Sequence, residues 1–301
     1  MAGGDYTRLK GVDSFAGIDF EDQLVENLIA FFDWAFLCKD GFETVSRNYG
    51  QRGVLKPTSN PLVWESSKAN WVWESLIGPV PDALSQPVAI NGIYIDDTFS
   101  ANDGTRYKIN YNYGEVYFNS DTVPDTSSVV KLDYSYKRYN FYSADNEWFR
   151  QVIFDPLEEN QLVEILEKNR VYLPAIIFEF VANSRLQPYQ LGSGIDYHLF
   201  QDVIVHILAD QFSDRNKAVY AFIKQLDKTI WLYDVGKIAD ADDFPLDLDG
   251  TPKQFAKQYP ELVDTYPYAK AIFNSVISQE ITKELALFRA SVRMTMKINL
   301  F

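Results

Sequence analysis

The chain has 301 residues and a mass of 34.6 kDa, enough for two domains of ordinary size with a core each. Its 28 basic and 42 acidic residues leave a formal charge of −14, which argues against a protein that grips a phosphate backbone through a basic groove. The single Cys38 excludes an intramolecular disulfide, no run reaches the roughly 18 apolar residues of a membrane span, and Met1 to Lys10 lack a signal peptide's apolar core. A soluble, cytoplasmically made protein with no membrane partner is expected. Its 21 Phe and 19 Tyr suit interlocking cores and extensive subunit interfaces.

Phe20 to Cys38 reads as the first helix, with Asp19 placed to cap it and Gly41 to stop it. Leu24, Leu28, Phe31, Phe32 and Ala35 form one apolar stripe, and Val25, Ile29 and Phe36 form a second. A helix apolar on two sides is expected between two partners, one of which can be another subunit. Periodicity weakens from Asn48 to Gln86. There Val63-Trp64-Glu65-Ser66 returns as Val72-Trp73-Glu74-Ser75, an echo too short for a repeat architecture. It reads as coincidence or paired packing, with an aromatic clamp on a neighbouring subunit as the alternative.

Residues 87 to 142 read as all-β. Val88-Ala89-Ile90 and Ile93-Tyr94-Ile95 flank Asn91-Gly92, a dipeptide suited to a tight hairpin turn. Tyr107, Ile109 and Tyr111 alternate before a turn at Tyr113-Gly114, and Val116 to Phe118 leads back. Val130, Leu132, Tyr134 and Tyr136 share one face of a further strand. A small antiparallel sandwich or barrel-like module follows from this pattern. Residues 1–148 are therefore expected to form one domain and 149–301 another.

In the second domain Asp155-Pro156-Leu157-Glu158 opens a helix with an N-cap, a first-turn proline and a capping-box acid. Leu157, Leu162, Val163 and Leu166 give it an apolar face ending near Asn169. From Leu173 to Val235 the spacing predicts one compact α/β unit. It comprises a strand from Leu173 to Phe180, a strand from Tyr197 to Ala209, a helix from Asp214 to Asp227 capped by Ser213, and a strand from Thr229 to Val235. Pro174 sets the first strand at an edge or begins it, and the second is apolar on both faces, so it should be covered twice. Helical pieces are expected around Pro252 to Ser278. Alternation from Phe288 to Leu300 then predicts a closing strand.

No residue earns a catalytic, cofactor-binding or metal-ligating role. His198 and His206 lie roughly 26 Å apart on an extended strand and cannot share a metal. Cys38 reads as a buried inert thiol. Asp247-x-Asp249-Gly250 hints at a calcium loop, but Pro245 and Ala256 stand where the first and last ligands belong, which leaves an acidic solvated loop with Asp240, Asp242 and Asp243. Gly192-Ser193-Gly194 lacks the context of a phosphate loop. Asp96-Asp97 and Glu158-Glu159 read as a turn and a helix start. Tyr134, Tyr136, Tyr139, Phe141, Tyr142 and Trp148 around Lys137 and Arg138 suit core and interface packing, with sugar stacking as the second reading.

The stretch Leu173-Pro174-Ala175-Ile176-Ile177-Phe178-Glu179-Phe180 is followed by Pro188-Tyr189-Gln190-Leu191-Gly192-Ser193. Val203 to Ala209 then precedes Ser213-Asp214-Arg215-Asn216-Lys217 at a helix start. This succession over residues 150–301 resembles the tail-terminator and neck (head–tail connector) proteins of tailed bacteriophages. Tyr111-x-x-Gly114-x-Val116-x-Phe118 and Tyr134-Ser135-Tyr136 resemble β-domains of virion structural proteins. The first 150 residues exceed a simple terminator.

The resemblance implies an α+β chain: an N-terminal helix and small antiparallel β module, then a tail-terminator-like α/β sandwich. It implies no catalysis and no cofactor. It also implies a homo-oligomeric ring, usually a hexamer, in the virion at the head–tail junction, with other connector, neck, tail-tube or sheath proteins as partners. DNA would pass through the lumen without specific binding, past acidic loops such as Asp240 to Asp249. A carbohydrate-binding protein using the aromatic β module and a baseplate or tail adaptor are the alternatives.

Overall fold

The computed structural model describes residues 20–74, 86–154, 159–188, 197–280 and 287–300. Asp19, Ser75, residues 155–158 and residues 189–196 with Gly192-Ser193-Gly194 lie outside them. The chain is α+β, as expected. Helix α1 (Phe20–Leu37) leads into strands β1 (Phe42–Val45), β2 (Gly53–Pro57), β3 (Val63–Glu65), β4 (Gly92–Ile95), β5 (Thr98–Ala101), β6 (Tyr107–Asn110), β7 (Glu115–Phe118), β8 (Val130–Leu132) and β9 (Tyr134–Lys137). Then come β10 (Asn140–Ser143), α2 (Glu147–Phe154), α3 (Glu159–Lys168), β11 (Ala175–Pro188), β12 (Tyr197–Ala209), α4 (Phe212–Ile223), β13 (Thr229–Tyr233), α5 (Val235–Ala241), α6 (Tyr259–Thr265), β14 (Pro267–Glu280) and β15 (Phe288–Leu300).

The β module is an antiparallel sheet in the order β5-β4-β8-β2-β3-β7-β6, with β1 paired to β9 beside it. The Tyr107 hydroxyl donates to the Ser100 carbonyl at 2.8 Å, so the two edge strands are drawn together in a barrel-like curl. Trp64, Trp71, Ile93, Val116, Leu132 and Tyr134 fill its core. The predicted β6–β7 hairpin is present. Gly114 turns it at φ +66°, where a Cβ would sit 2.3 Å from the Lys68 carbonyl oxygen. The other hairpin differs from the expectation. Its turn is Asp96-Asp97, at φ +47° and +64°, and Asn91-Gly92 instead enters β4. Two aspartates tolerate the left-handed conformation of a tight turn, and the better-known Asn-Gly signal outranks them in sequence.

The second sheet runs β10-β11-β12-β15-β14-β13, with β10 parallel to β11 and the other neighbours antiparallel. One face packs on α1 and α4 through Leu28, Phe32, Phe178, Val205, Phe222 and Met294. The opposite face meets α2 and α3 through Trp148, Val152, Leu162 and Leu166, against Ala175, Ile177 and Leu208. β12 is thus covered along one face and, on the other, only at its Leu208 end, so the double cover that its two apolar faces predict is met in part.

A boundary at residues 148 and 149 does not match this packing. α1 and β10 precede it in sequence but belong to the six-stranded sheet, and both partners of the two-sided helix come from its own chain. The sheet covers one side, while Tyr233, Val235, Ile238, Tyr259, Leu262 and Val263 meet Ala30, Phe31 and Trp34 on the other.

Three smaller expectations are also corrected. α4 begins at Phe212 after Gln211, so Ser213 lies inside it, and it ends at Ile223, where Leu226 is already exposed. The compact unit expected from Leu173 to Val235 is not closed on itself, because β14 and β15 insert between β12 and β13. Finally, Pro267–Glu280 is a long strand where helical pieces were expected. Its bulge between Phe273 and Ser275 breaks the period-2 signal.

Candidate functional site

A buried polar arrangement lies where α1, the β module and the segment after β13 meet. A cleft of about 560 Å³ opens there between Asp33 and Trp34 of α1, Trp73 and Glu74, and residues 244–248 with Tyr259. At its floor the Lys137 ammonium lies 2.5 Å from Asp33 Oδ2 and 3.3 Å from Glu74 Oε1. Burial disfavours the Lys137 charge, but the two carboxylates outweigh it and hold the ammonium above the usual lysine range. Burial pushes the Glu74 carboxyl up, Lys137 opposes this, and Asp33 adds to it. Glu74 Oε2 is buried without a hydrogen-bond partner among the described residues. This charge triad joins α1, Glu74 of the segment after Trp71, and β9. With its ammonium held charged between two carboxylates, the triad is a latch between the modules.

A second latch lies along the same helix. Asn27 donates to the Tyr233 carbonyl at 2.9 Å and accepts from the Tyr233 amide at 2.7 Å, and Gln23 Oε1 accepts from the Val235 amide at 2.9 Å. Side-chain amides thereby satisfy the end of β13, which among the described residues has no strand on its outer side. Asn27→Ala is expected to lower stability by about 1–3 kcal/mol, since it orphans a buried N–H. Chemical denaturation should show a lower midpoint at unchanged slope.

The residues singled out in the sequence do not converge. His206 Nε2 lies 2.6 Å from Glu179 Oε2 across β11 and β12, with its ring 5.0 Å from Phe149. His198 lies on the same strand, eight residues away. Cys38 is buried, and burial pushes its thiol up to about 11. A thiol held protonated and covered should resist alkylating reagents until denaturant is added, which mass spectrometry can follow.

Asp249 accepts from Thr251 and is paired with Lys108 at 3.3 Å, and no group of three metal-ligating side chains occurs among the described residues. Lysines also pair with Asp242 and Asp243, each at 3.0 Å. The Val-Trp-Glu-Ser echo has no structural counterpart. Trp64 is in the core of the β module on β3, while Trp73 lines the cleft outside any strand.

The aromatic cluster around Lys137 and Arg138 is dispersed. Tyr134 lies in the β-module core, Tyr139 and Phe141 pack edge-on against Phe36 at 5.1 and 5.3 Å, and Tyr142 meets Trp148 in the α2–α3 layer. The chain crosses from one module to the other here, so neighbours in sequence enter different cores. Arg138 is taken up by Asp214 at 2.8 Å. No sugar-stacking platform results from these residues.

Two surfaces remain, on opposite sides of the six-stranded sheet. On the α2–α3 side those helices cover only one end. Beyond them the described residues leave Trp231 48% exposed and Ile277 56% exposed. Register places Trp231 beside Lys270, and Ile272, Lys297, Phe200 and Arg185 side by side in the next row. Lys270 lies 3.9 Å over the Trp231 ring and Arg185 4.8 Å over Phe200.

On the α1 side the segment after α5 projects Leu248, fully exposed, and Phe255, 80% exposed. Its turn is held by Gly250 N–H to Asp247 O and Asp247 N–H to Thr251 O, both 2.9 Å, and is tied to the β module by Tyr111 N–H to Gly250 O at 3.1 Å. Gly250 has φ +75° and lies so near Asn110 that a Cβ would meet its Oδ1 at 2.2 Å.

Sequence reasoning found the acidic loop but missed the triad. The signal was present: Asp33 interrupts Ala30-Phe31-Phe32 and Trp34-Ala35-Phe36, and Lys137 follows alternating tyrosines. Among the described residues no helix is long and apolar enough to cross a membrane. Comparison with protein-family models and with curated proteins finds no match for this chain.

Proposed function

We propose that this chain is a non-enzymatic structural subunit of a tailed-phage virion, a tail-terminator or neck protein that assembles with copies of itself into a ring at the head–tail junction. The observation that carries this reading is the half-covered face of the six-stranded sheet. A sheet buries its apolar face against another layer, and a face left open with Trp231 and Ile277 in water is suited to cover by a neighbouring molecule. The buried polar groups support the same reading, because Lys137, Asp33 and Glu74 tie α1 to the β module and Gln23 and Asn27 hold α1 on the end of β13, instead of converging on a reacting atom. The strand, strand, helix succession from β11 through α4 supports the reading only as the pattern in which the resemblance to the phage family lies.

Sedimentation of the purified chain, with negative-stain averages of the heaviest species, tests this reading. Closed rings are expected. A chain that stays monomeric at every concentration and is absent from purified particles would end it. Glycan binding that saturates and competes with assembly would instead favour a carbohydrate-binding protein.

A further inference from the structure

The two surfaces on opposite sides of the sheet are complementary. Lys270, Lys297 and Arg185 form no ion pair among the described residues and lie in adjacent rows, beside Trp231 and Ile272. Among the described residues of this open part, Arg293 is met by Asp202 and Glu179 lies beside His206. In a chain of charge −14 such a basic patch is out of keeping with the rest of the surface. The far side carries five aspartates, Asp240 in the last turn of α5 and Asp242, Asp243, Asp247 and Asp249 in the loop after it. Three are neutralised by Lys253, Lys257 and Lys108, while Asp240 and Asp247 have no ion pair among the described residues. Between these acids the anchored turn holds Leu248 out in water.

We infer that the acidic, Leu248-tipped loop of one copy docks on the open basic half of the sheet in a second copy. This rests on the reading of the chain as a ring subunit and names the contact that joins the copies. An apolar residue on a turn fixed by hydrogen bonds is prepared for burial, since little freedom remains to be lost on docking. Trp231 and Ile272 supply the apolar ground, and Lys270, Lys297 and Arg185 meet Asp240 and Asp247 around it. The donor and receiver are different patches on opposite sides of the sheet, so the contact is head-to-tail, the kind that closes rings when the rotation permits. Lys270 over the Trp231 ring and Arg185 over Phe200 set cations at the rim of this apolar ground, where the loop's carboxylates can reach them. The loop then belongs to the contact between copies, not to the lumen suggested by its charge alone.

The test is a charge exchange. One variant carries Lys270→Glu with Lys297→Glu, and the other carries Asp240→Lys with Asp247→Lys. Each alone is expected to self-associate at least tenfold more weakly than the unmodified chain, with circular dichroism unchanged. Mixed in equal amounts, they should assemble again in alternation, because the reversed face of one now fits the reversed loop of the other. Leu248→Asp should weaken assembly without rescue by either.

Assembly of the face variant at unmodified strength, or failure of two folded variants to recover on mixing, would overturn the pairing while rings of the unmodified chain kept the ring reading intact. An unmodified chain that remains monomeric would remove both. Binding of duplex DNA by a monomer, lost in Lys270→Glu with Lys297→Glu, would make nucleic acid the occupant and overturn the docking of a second copy.

Discussion

Lys137→Met should destabilise the protein by about 3–5 kcal/mol, the cost of stripping a buried ion pair of its counter-charge. That is a large fraction of the roughly 5–15 kcal/mol that keeps a typical domain folded. The substitution leaves Asp33 and Glu74 facing each other in a buried site where the ammonium had held them together. Adding Glu74→Gln to Lys137→Met should recover part of the loss by removing one of the repelling charges.

The pH dependence has a definite sign. Burial raises the folded Glu74 carboxyl above its ordinary 4.5, so the folded state binds more protons than the unfolded chain as pH climbs from there. Glu74 therefore lowers stability with rising pH across that window. Glu74→Gln should flatten the slope, which denaturation midpoints from about pH 4 to 8 can show. An identical slope in both proteins would mean that Glu74 is ionised in the fold at its ordinary pH.

Phe32→Ala should cost about 3–5 kcal/mol, as expected for truncation of a packed aromatic core residue. Phe32 is 1% exposed, and its ring lies 4.5 Å from Phe222, 5.7 Å from Phe178 and 6.0 Å from Phe273, which belong to α4, β11 and β14. One side chain from the N-terminal helix thus touches three elements beyond the expected domain boundary. A fragment of residues 149–301 would lack this helix, and should expose the sheet and fail to melt cooperatively. A fragment that melts sharply, together with a Phe32→Ala cost below about 1 kcal/mol, would show that α1 is an accessory to that sheet.

How far the sequence carried depended on how local each signal was. β12 and β15 were legible to their ends because β12 is rich in apolar residues on both faces from Tyr197 to Ala209 and β15 alternates unbroken from Phe288 to Leu300. α1 was legible because its two stripes recur at helical spacing. β14 was hidden by the bulge at Phe273 and Ser275, which shifts its buried set from one parity to the other. The domain division was hidden for another reason. A two-sided helix announces that it has two partners but carries no information about which segments they are, and here they lie some two hundred residues downstream, at Tyr233 and Val235.

The same limit applies to the candidate surfaces. The five aspartates were plain in the sequence, but Lys253, Lys257 and Lys108 answer three of them only in the fold. The basic face could not be read at all. Arg185, Lys270 and Lys297 are scattered through the chain and become neighbours through the registers of β11, β12, β15 and β14.

The most direct measurement is an image of purified phage particles in which this chain carries an added density label. The account predicts label in a ring at the junction of head and tail, with several equivalent copies around the axis. Label absent from the particle would contradict it, as would a single copy bound off-axis.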